Sequence, residues 1–367
     1  MKVVFRADAS SRLGIGHVMR CLTLADVLAA KGAECYFITF NSLVNLNAEI
    51  KRRGHELCLM VMSGVQDISA MGQGFIEPSN HMYWRTNLQL HDANASEKYL
   101  SKISPDWLVV DHYGLDYRWE SAVAGCFAKL MVIDDLADRR HLADLLLDQT
   151  YRREAKDYDC LVNSACIRLC GAEFALLRSE FSENRKTSLH RRRSPVLRNI
   201  LIAMGGTDSG NVTSYALDVL SAAKLPDNVH ITIALSSSSP WVSAVSKLCR
   251  ELPMPVKLLL DAKNMAALMA ESDLALGAAG STSWERCCLG LPTVMWVLAN
   301  NQKKVALELE SSGAVKIIAG TEGQGPQLTD IIHRALSEPS VLGRMSSAAA
   351  AVTDGLGVSR VVQRMEK

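Results

Sequence analysis

The most constraining feature of this chain is a series of short apolar runs, each ending at a polar or glycine-containing turn. Val3-Val4-Phe5, Tyr36-Phe37-Ile38, Leu57 to Val61, Trp107-Leu108-Val109-Val110, Leu130-Met131-Val132-Ile133 and Leu145-Leu146-Leu147 are continuous, not alternating. Such runs suit strands covered by helices on both faces. Between the first two, Val18, Cys21, Leu22, Ala25, Leu28 and Ala29 recur at helical spacing, and Gly32 follows as a stop. A short helix ending near Gly54 precedes the third run. A second series starts at Asn199, with strands at Ile200-Leu201-Ile202-Ala203, Ile231 to Leu235, Val256 to Leu260, Leu274-Ala275-Leu276 and Thr293 to Val297. Alternating strand and helix imply parallel sheets. The expected fold class is α/β, with two doubly wound, Rossmann-like domains facing across a cleft. Ligands of open α/β sheets bind beyond the carboxyl ends of the strands, so chemistry is sought at those ends.

The chain's 367 residues exceed the roughly 250–300 at which single cores stop growing. The expected division is an N-terminal domain at 1–182, a linker at 183–195 and a C-terminal domain at 196–367. Residues 63–95 are polar and irregular, with Gly64, Gly72, Gly74 and Pro78, and read as an insertion or loop. The linker carries Lys186 and His190-Arg191-Arg192-Arg193 before Pro195, a solvated segment or a contact for an anionic partner. Forty basic residues face 39 acidic ones, without the basic excess of a dedicated nucleic-acid binder. At 48% hydrophobic and a net charge of +1, the chain is not a disordered tail. No run approaches the roughly 18–20 apolar residues of a membrane span. Val3 to Phe5 is too short for an export signal. A cytoplasmic protein is expected. Ten cysteines without a C-x-x-C pair are read as reduced thiols, not a zinc site.

Several turns carry candidate chemistry. Gly14-Ile15-Gly16-His17 follows the first strand and opens a helix, where N–H groups and the helix dipole favour an anion. The dipole disfavours protonation of His17, as suits a general base; the alternative is a capping or packing histidine. Asp111-His112-Tyr113-Gly114 ends a strand, and Tyr113 contacts substrate or orders water unless Asp111 and Gly114 simply fix a turn. Asp134-Asp135 suggests a metal or, without histidine spacing, a turn paired with Arg139 and Arg140. Gly205-Gly206-Thr207-Asp208-Ser209-Gly210-Asn211 is a strand-to-helix turn that can approach a phosphate or sugar; the alternative is a simple βα turn. Gly277-Ala278-Ala279-Gly280-Ser281-Thr282-Ser283-Trp284-Glu285 offers a diphosphate site, with Glu285 accepting ribose hydroxyls or, alternatively, capping its own helix. Asn300-Asn301-Gln302 could read a base or sugar. Neither a P-loop nor a G-x-S-x-G elbow occurs.

The two glycine turns, one in each half, resemble the GT-B nucleotide-sugar fold. Phe5-Arg6-Ala7-Asp8-Ala9-Ser10, Ile15-Gly16-His17 with Arg20, Asp111-His112-Tyr113-Gly114, Ala175-Leu176-Leu177-Arg178 before Glu180-Phe181, Met204-Gly205-Gly206-Thr207-Asp208 and Asn301-Gln302 occur in the order of a narrower group. Together they resemble the family of UDP-sugar hydrolases of pseudaminic acid biosynthesis, related to the GlcNAc transferase of peptidoglycan synthesis. The resemblance implies hydrolysis of UDP-2,4-diacetamido-2,4,6-trideoxy-β-L-altropyranose at the anomeric C1–O bond, with inversion. It implies His17 as base with Tyr113 assisting and Gly16 close to substrate. It places Arg178, Ser281, Glu285 and Asn301 on the nucleotide-sugar contacts. No cofactor is required by any motif, though Mg²⁺ assistance is compatible. A UDP-sugar glycosyltransferase, a hydrolysing 2-epimerase and a non-catalytic nucleotide-sugar binder are the alternatives on the same fold.

Overall fold

The computed structural model describes all residues except 10–14, 41–45, 61–87, 206, 207, 209, 253, 300, 301, 321 and 322. Contacts divide the chain into two units, Met1–Leu176 with Gly357–Lys367, and Leu177–Leu356. The first unit holds β1 (Lys2–Ala7), β2 (Glu34–Phe40), β3 (Glu56–Met60), β4 (Trp107–Asp111), β5 (Lys129–Ile133), β6 (Leu145–Asp148) and β7 (Ile167–Cys170). They form one parallel sheet in the order β3-β2-β1-β4-β5-β6-β7. The second unit holds β8 (Asn199–Ala203), β9 (His230–Leu235), β10 (Val256–Leu260), β11 (Leu274–Ala278), β12 (Thr293–Trp296) and β13 (Val315–Ile318). Their parallel order is β10-β9-β8-β11-β12-β13.

The continuous apolar runs follow from burial on both faces. In the first sheet Val3, Phe5, Val109, Met131 and Leu147 enter one core, while Val4, Leu108, Val110, Val132 and Leu146 enter the other. Each sheet reverses its winding once, between β1 and β4 and between β8 and β11. A crevice opens at the carboxyl ends of strands at such a switch point. Those ends are Ala7 and Asp111 in the first sheet, Ala203 and Ala278 in the second.

Three boundaries differ from those expected. Residues 183–195 are not a linker, because the helix Ser179–Arg191 runs through most of them. Lys186, His190, Arg191 and Arg193 are exposed, whereas Arg185 and Arg192 turn to helix ends. Arg185 donates to the carbonyls of Cys288, Thr353 and Ala350. Arg192, beyond the helix, donates to those of Gly290, Met269 and Ala270. Cations suit the unsatisfied carbonyls at helix C-termini. The last eleven residues leave the C-terminal domain, as the helix Gly357–Met365 packs Val358, Val361, Val362 and Met365 into the first core. Trp107 Nε1 donates to Met365 O at 3.1 Å. Finally, the tail of the expected 63–95 insertion is ordered as the helix Gln89–Ile103; residues 61–87 lie outside the described residues. Among the described residues, no helix is long and apolar enough to cross a membrane.

The docking of the C-terminal helix gives a direct test. Val361 is fully buried. Replacing it with Asp leaves an unpaired carboxylate in the first core and is expected to cost about 3–5 kcal/mol. Urea unfolding monitored by circular dichroism measures this; a loss under about 1 kcal/mol would contradict the docking.

Candidate active site

In the first unit, Asp111 ends β4 and reaches the helix Gly16–Ala30, which follows β1. That helix has no acidic residue in its first turn and no side-chain cap, so the strand supplies the carboxylate. His17 Nδ1 lies 2.6 Å from Asp111 Oδ1. Arg20, one turn along, grips the same carboxylate through Nε and Nη2, both at 2.6 Å. Burial by itself would raise the Asp111 pKa, but the Arg20 charge and the hydrogen bonds from Arg20 and His17 prevail and hold it well below the usual carboxylate range. Nδ1 therefore serves as donor to Asp111, which leaves Nε2 as the nitrogen able to accept a proton. The Tyr113 ring meets the His17 ring edge-on at 4.6 Å. The Tyr113 hydroxyl donates to Asp135 Oδ2 at 3.0 Å, and burial with that neighbour pushes its pKa up.

A second buried network backs this group. Arg6 is fully buried and binds Asp92 through Nε and Nη2 and Asp8 through Nη2. His112 accepts from the Gly114 N–H through Nδ1 and turns Nε2 toward Asp8 at 3.4 Å. Trp119 Nε1 and Ser96 Oγ also donate to Asp92. Asp134 and Asp135 part company: Asp134 pairs with Arg139 at 2.8 Å, while Asp135 turns to Tyr113 and Arg20.

In the second unit, Gly205 ends the β8 turn at φ +90°, a conformation that favours glycine. Asp208 caps the next helix, accepting from Val212 N at 2.8 Å and Thr213 N at 3.1 Å. After β11, Gly280 and Ser281 are exposed and Thr282 and Glu285 partly buried. No side chain caps the helix Thr282–Cys288, so Glu285 is not its own helix's capping residue. It faces Arg178 instead, 3.6 Å away, and Arg178 also pairs with Glu180 at 3.0 Å and lies over the Phe181 ring.

Residues 199–361 match the glycosyltransferase family 28 C-terminal domain. Over 314 residues the chain is 29% identical to the UDP-2,4-diacetamido-2,4,6-trideoxy-beta-L-altropyranose hydrolase of Campylobacter jejuni, covering 85% of this chain and 97% of that one. Among solved structures, it superposes on Acinetobacter baumannii MurG with a TM-score of 0.71 at 17% identity, over 100% of this chain and 99% of that one. A UDP-GlcNAc 2-epimerase from Neisseria meningitidis gives a TM-score of 0.65 at 12% identity, with both chains fully covered. The chain has the GT-B fold. The similarity to the hydrolases seen in the sequence motifs thus extends along most of its length.

Within this GT-B chain, His17, Asp111 and Tyr113 come together as one group, and Arg178 meets Glu285. Asp111 does not fit its expected place among substrate contacts. It is 1% exposed, and both of its oxygens are engaged by His17 and Arg20. Gln302 directs Oε1 to Leu298 N at 2.9 Å, holding its own loop. Gly14, Gly206, Thr207 and Asn301 lie outside the described residues. Sequence reasoning read Asp135 with Asp134 as a metal pair or a turn paired with Arg139 and Arg140, assigned no role to Arg286, and quoted Arg20 only as part of a motif. The i to i+3 spacing of His17 and Arg20 puts both on one helix face and was the available signal for Arg20.

Glu285 has a measurable consequence. Burial pushes its carboxyl up to about 7 from 4.5, and the Arg178 charge offsets only part of that. Between those values the folded chain keeps a proton that the unfolded chain has lost. Stability therefore falls as pH rises through this window. Glu285→Gln is expected to remove that fall and to exceed the parent by about 1–3 kcal/mol at pH 8, with little difference near pH 4.5. Urea unfolding at both pH values measures the difference, and a variant less stable at pH 8 would refute it.

Proposed function

We propose that this chain hydrolyses a UDP-sugar, UDP-2,4-diacetamido-2,4,6-trideoxy-β-L-altropyranose, by attack of water at the anomeric carbon with inversion. The observation that carries this reading is the identity to the Campylobacter jejuni hydrolase across 314 residues, a span too long for either unit alone. The family 28 match is confined to 199–361 and would fit any UDP-sugar enzyme of this fold.

Each residue then has a role. Arg178, Glu285 and the Gly280-Ser281-Thr282 turn hold the UDP, with Glu285 accepting ribose hydroxyls. His17 Nε2 takes a proton from water as the water oxygen bonds to C1. The C1–O bond to the diphosphate breaks, its electron pair leaves with UDP, and the free sugar has inverted configuration. Asp111 orients His17 and stabilises the imidazolium that forms, as in other His–Asp pairs. Arg20 keeps Asp111 ionised and fixed. Tyr113, held as a neutral phenol against the His17 ring, fixes that ring's tilt.

A UDP-sugar transferase is the second reading, favoured by the MurG-like fold and the family 28 match. It would use the same base on an acceptor hydroxyl. The discriminating experiment is proton NMR of the purified protein with the named UDP-sugar in water, without acceptor. Prompt appearance of UDP and inverted free sugar is expected. Intact substrate beside demonstrable UDP binding would reject the hydrolase reading for this sugar. His17→Asn is expected to lower kcat by about 10²–10⁴-fold with substrate binding retained. Asp111→Asn should lower kcat and alter the pH profile without changing KM.

A further inference from the structure

Arg286 differs from the buried arginines of the first unit. It is 2% exposed, and its guanidinium meets neutral acceptors: Ala278 O at 2.7 Å, and Thr282 Oγ1 and Ser283 Oγ at 3.3 Å each. Its Nε is buried without a partner. The adjacent Glu285 pairs with Arg178 instead. A buried cation without a paired carboxylate is costly, and burial pulls its pKa down to about 10. The backbone makes room for it. A Cβ on Gly277 would lie 2.2 Å from Arg286 Nη1 and 3.0 Å from Ala203 O. A glycine in β11 thus admits a guanidinium that forms no ion pair with a carboxylate of the described residues.

Arg286 holds both flanks of the exposed Gly280-Ser281 turn, through Ala278 O before it and Thr282 Oγ1 after it. We propose that Arg286 is a positioning residue for the diphosphate of a nucleotide bound at that turn, acting as a buried counter-charge and through Thr282. Because Arg286 donates to Thr282 Oγ1, the proton of that hydroxyl remains for a phosphate oxygen. The anion supplies the missing negative charge, and the guanidinium is already in place when it arrives. This inference rests on the nucleotide-sugar reading above and extends it to the residue that neutralises the diphosphate.

The test compares UDP with uridine by calorimetry on the parent chain, Arg286→Met, Arg286→Lys and Gly277→Ala. Arg286→Met is expected to weaken UDP binding by about 10–100-fold while uridine changes by less than about twofold. Its thermal midpoint should hold or rise, because a charge has left the interior. Arg286→Lys should keep most of the preference for UDP over uridine. Gly277→Ala, which displaces the guanidinium, should lose that preference. If Arg286→Met does not fold, the last two variants decide alone. Unchanged UDP affinity in Arg286→Met, or equal losses for UDP and uridine, would overturn the assignment. A parent chain that binds no UDP would instead overturn the nucleotide reading beneath it.

Discussion

A parallel sheet packed on both faces leaves polar side chains little room except at the strand ends. Neighbouring residues along β1 enter opposite cores, so a charge at either parity is buried. Arg6 illustrates the demand. It shares the face of Val4 and is fully buried. Asp92 answers it from the helix Gln89–Ile103, and Asp8 from the end of its own strand. Other ionised groups gather where the strands stop. Asp111, Asp134 and Asp148 all lie at the ends of strands and each binds an arginine. The switch points between β1 and β4 and between β8 and β11 then decide which of these ends border a crevice.

The same constraint sorts the buried arginines by the acceptors they find. Arg20 and Arg6 are neutralised within their own unit by carboxylates. Arg185 and Arg192 find carbonyls at helix ends, where the partial negative charge of the dipole offsets part of their burial. Arg286 has neutral acceptors and one unpartnered nitrogen. Glu285 beside it is the complementary case, an acid whose burial favours the protonated form. Adjacent positions on one short helix thus hold a cation and an acid that form no ion pair with each other, Glu285 turning to Arg178. Mutually paired, they would have little remaining interaction to offer an incoming nucleotide. Natural sites often retain such destabilised groups because function selects for them above stability.

Central strands were legible in the sequence because burial on both faces makes them continuous apolar runs. The edge strands β7 and β13 were not. Ile167-Arg168-Leu169-Cys170 and Val315-Lys316-Ile317-Ile318 each carry a cation, and with one neighbour and a half-open face that cation is tolerated. The helix Gln89–Ile103 was hidden for the opposite reason. Its buried face includes Gln89, Asp92 and Ser96, which a hydrophobicity pattern scores as solvent-facing. Gln89 accepts from the Asp116 and Trp119 amides, and Asp92 balances Arg6, so the polarity is internal. Within the basic run at 190–193 only Arg192 departs from a solvated segment, since the helix carbonyls that receive it are distant in sequence. His17 and the glycine turns were visible because they follow strands directly. The pairing of His17 with Asp111, 94 residues away, needed the sheet order.

Hydrolysis and transfer make different demands on the two units. A donor nucleotide asks the second unit for hydrogen-bond donors, a ribose acceptor and positive charge, whatever molecule finally attacks. The match of residues 199–361 to a transferase family is therefore expected of either reaction. In the proposed hydrolysis the first unit supplies the base for the nucleophile. Water has a high pKa and no second substrate to orient it, so its activation relies on a base whose geometry is fixed beforehand. In the reading proposed above, His17 is that base. Asp111 fixes one ring nitrogen, Arg20 locks Asp111 through two hydrogen bonds, and the Tyr113 edge limits rotation of the ring. Such rigidity aims a lone pair at one point, which suits a small nucleophile with no binding contacts of its own. On the proposed reading Asp111, 1% exposed and engaged by His17 and Arg20, acts on the reaction only through the imidazole it holds.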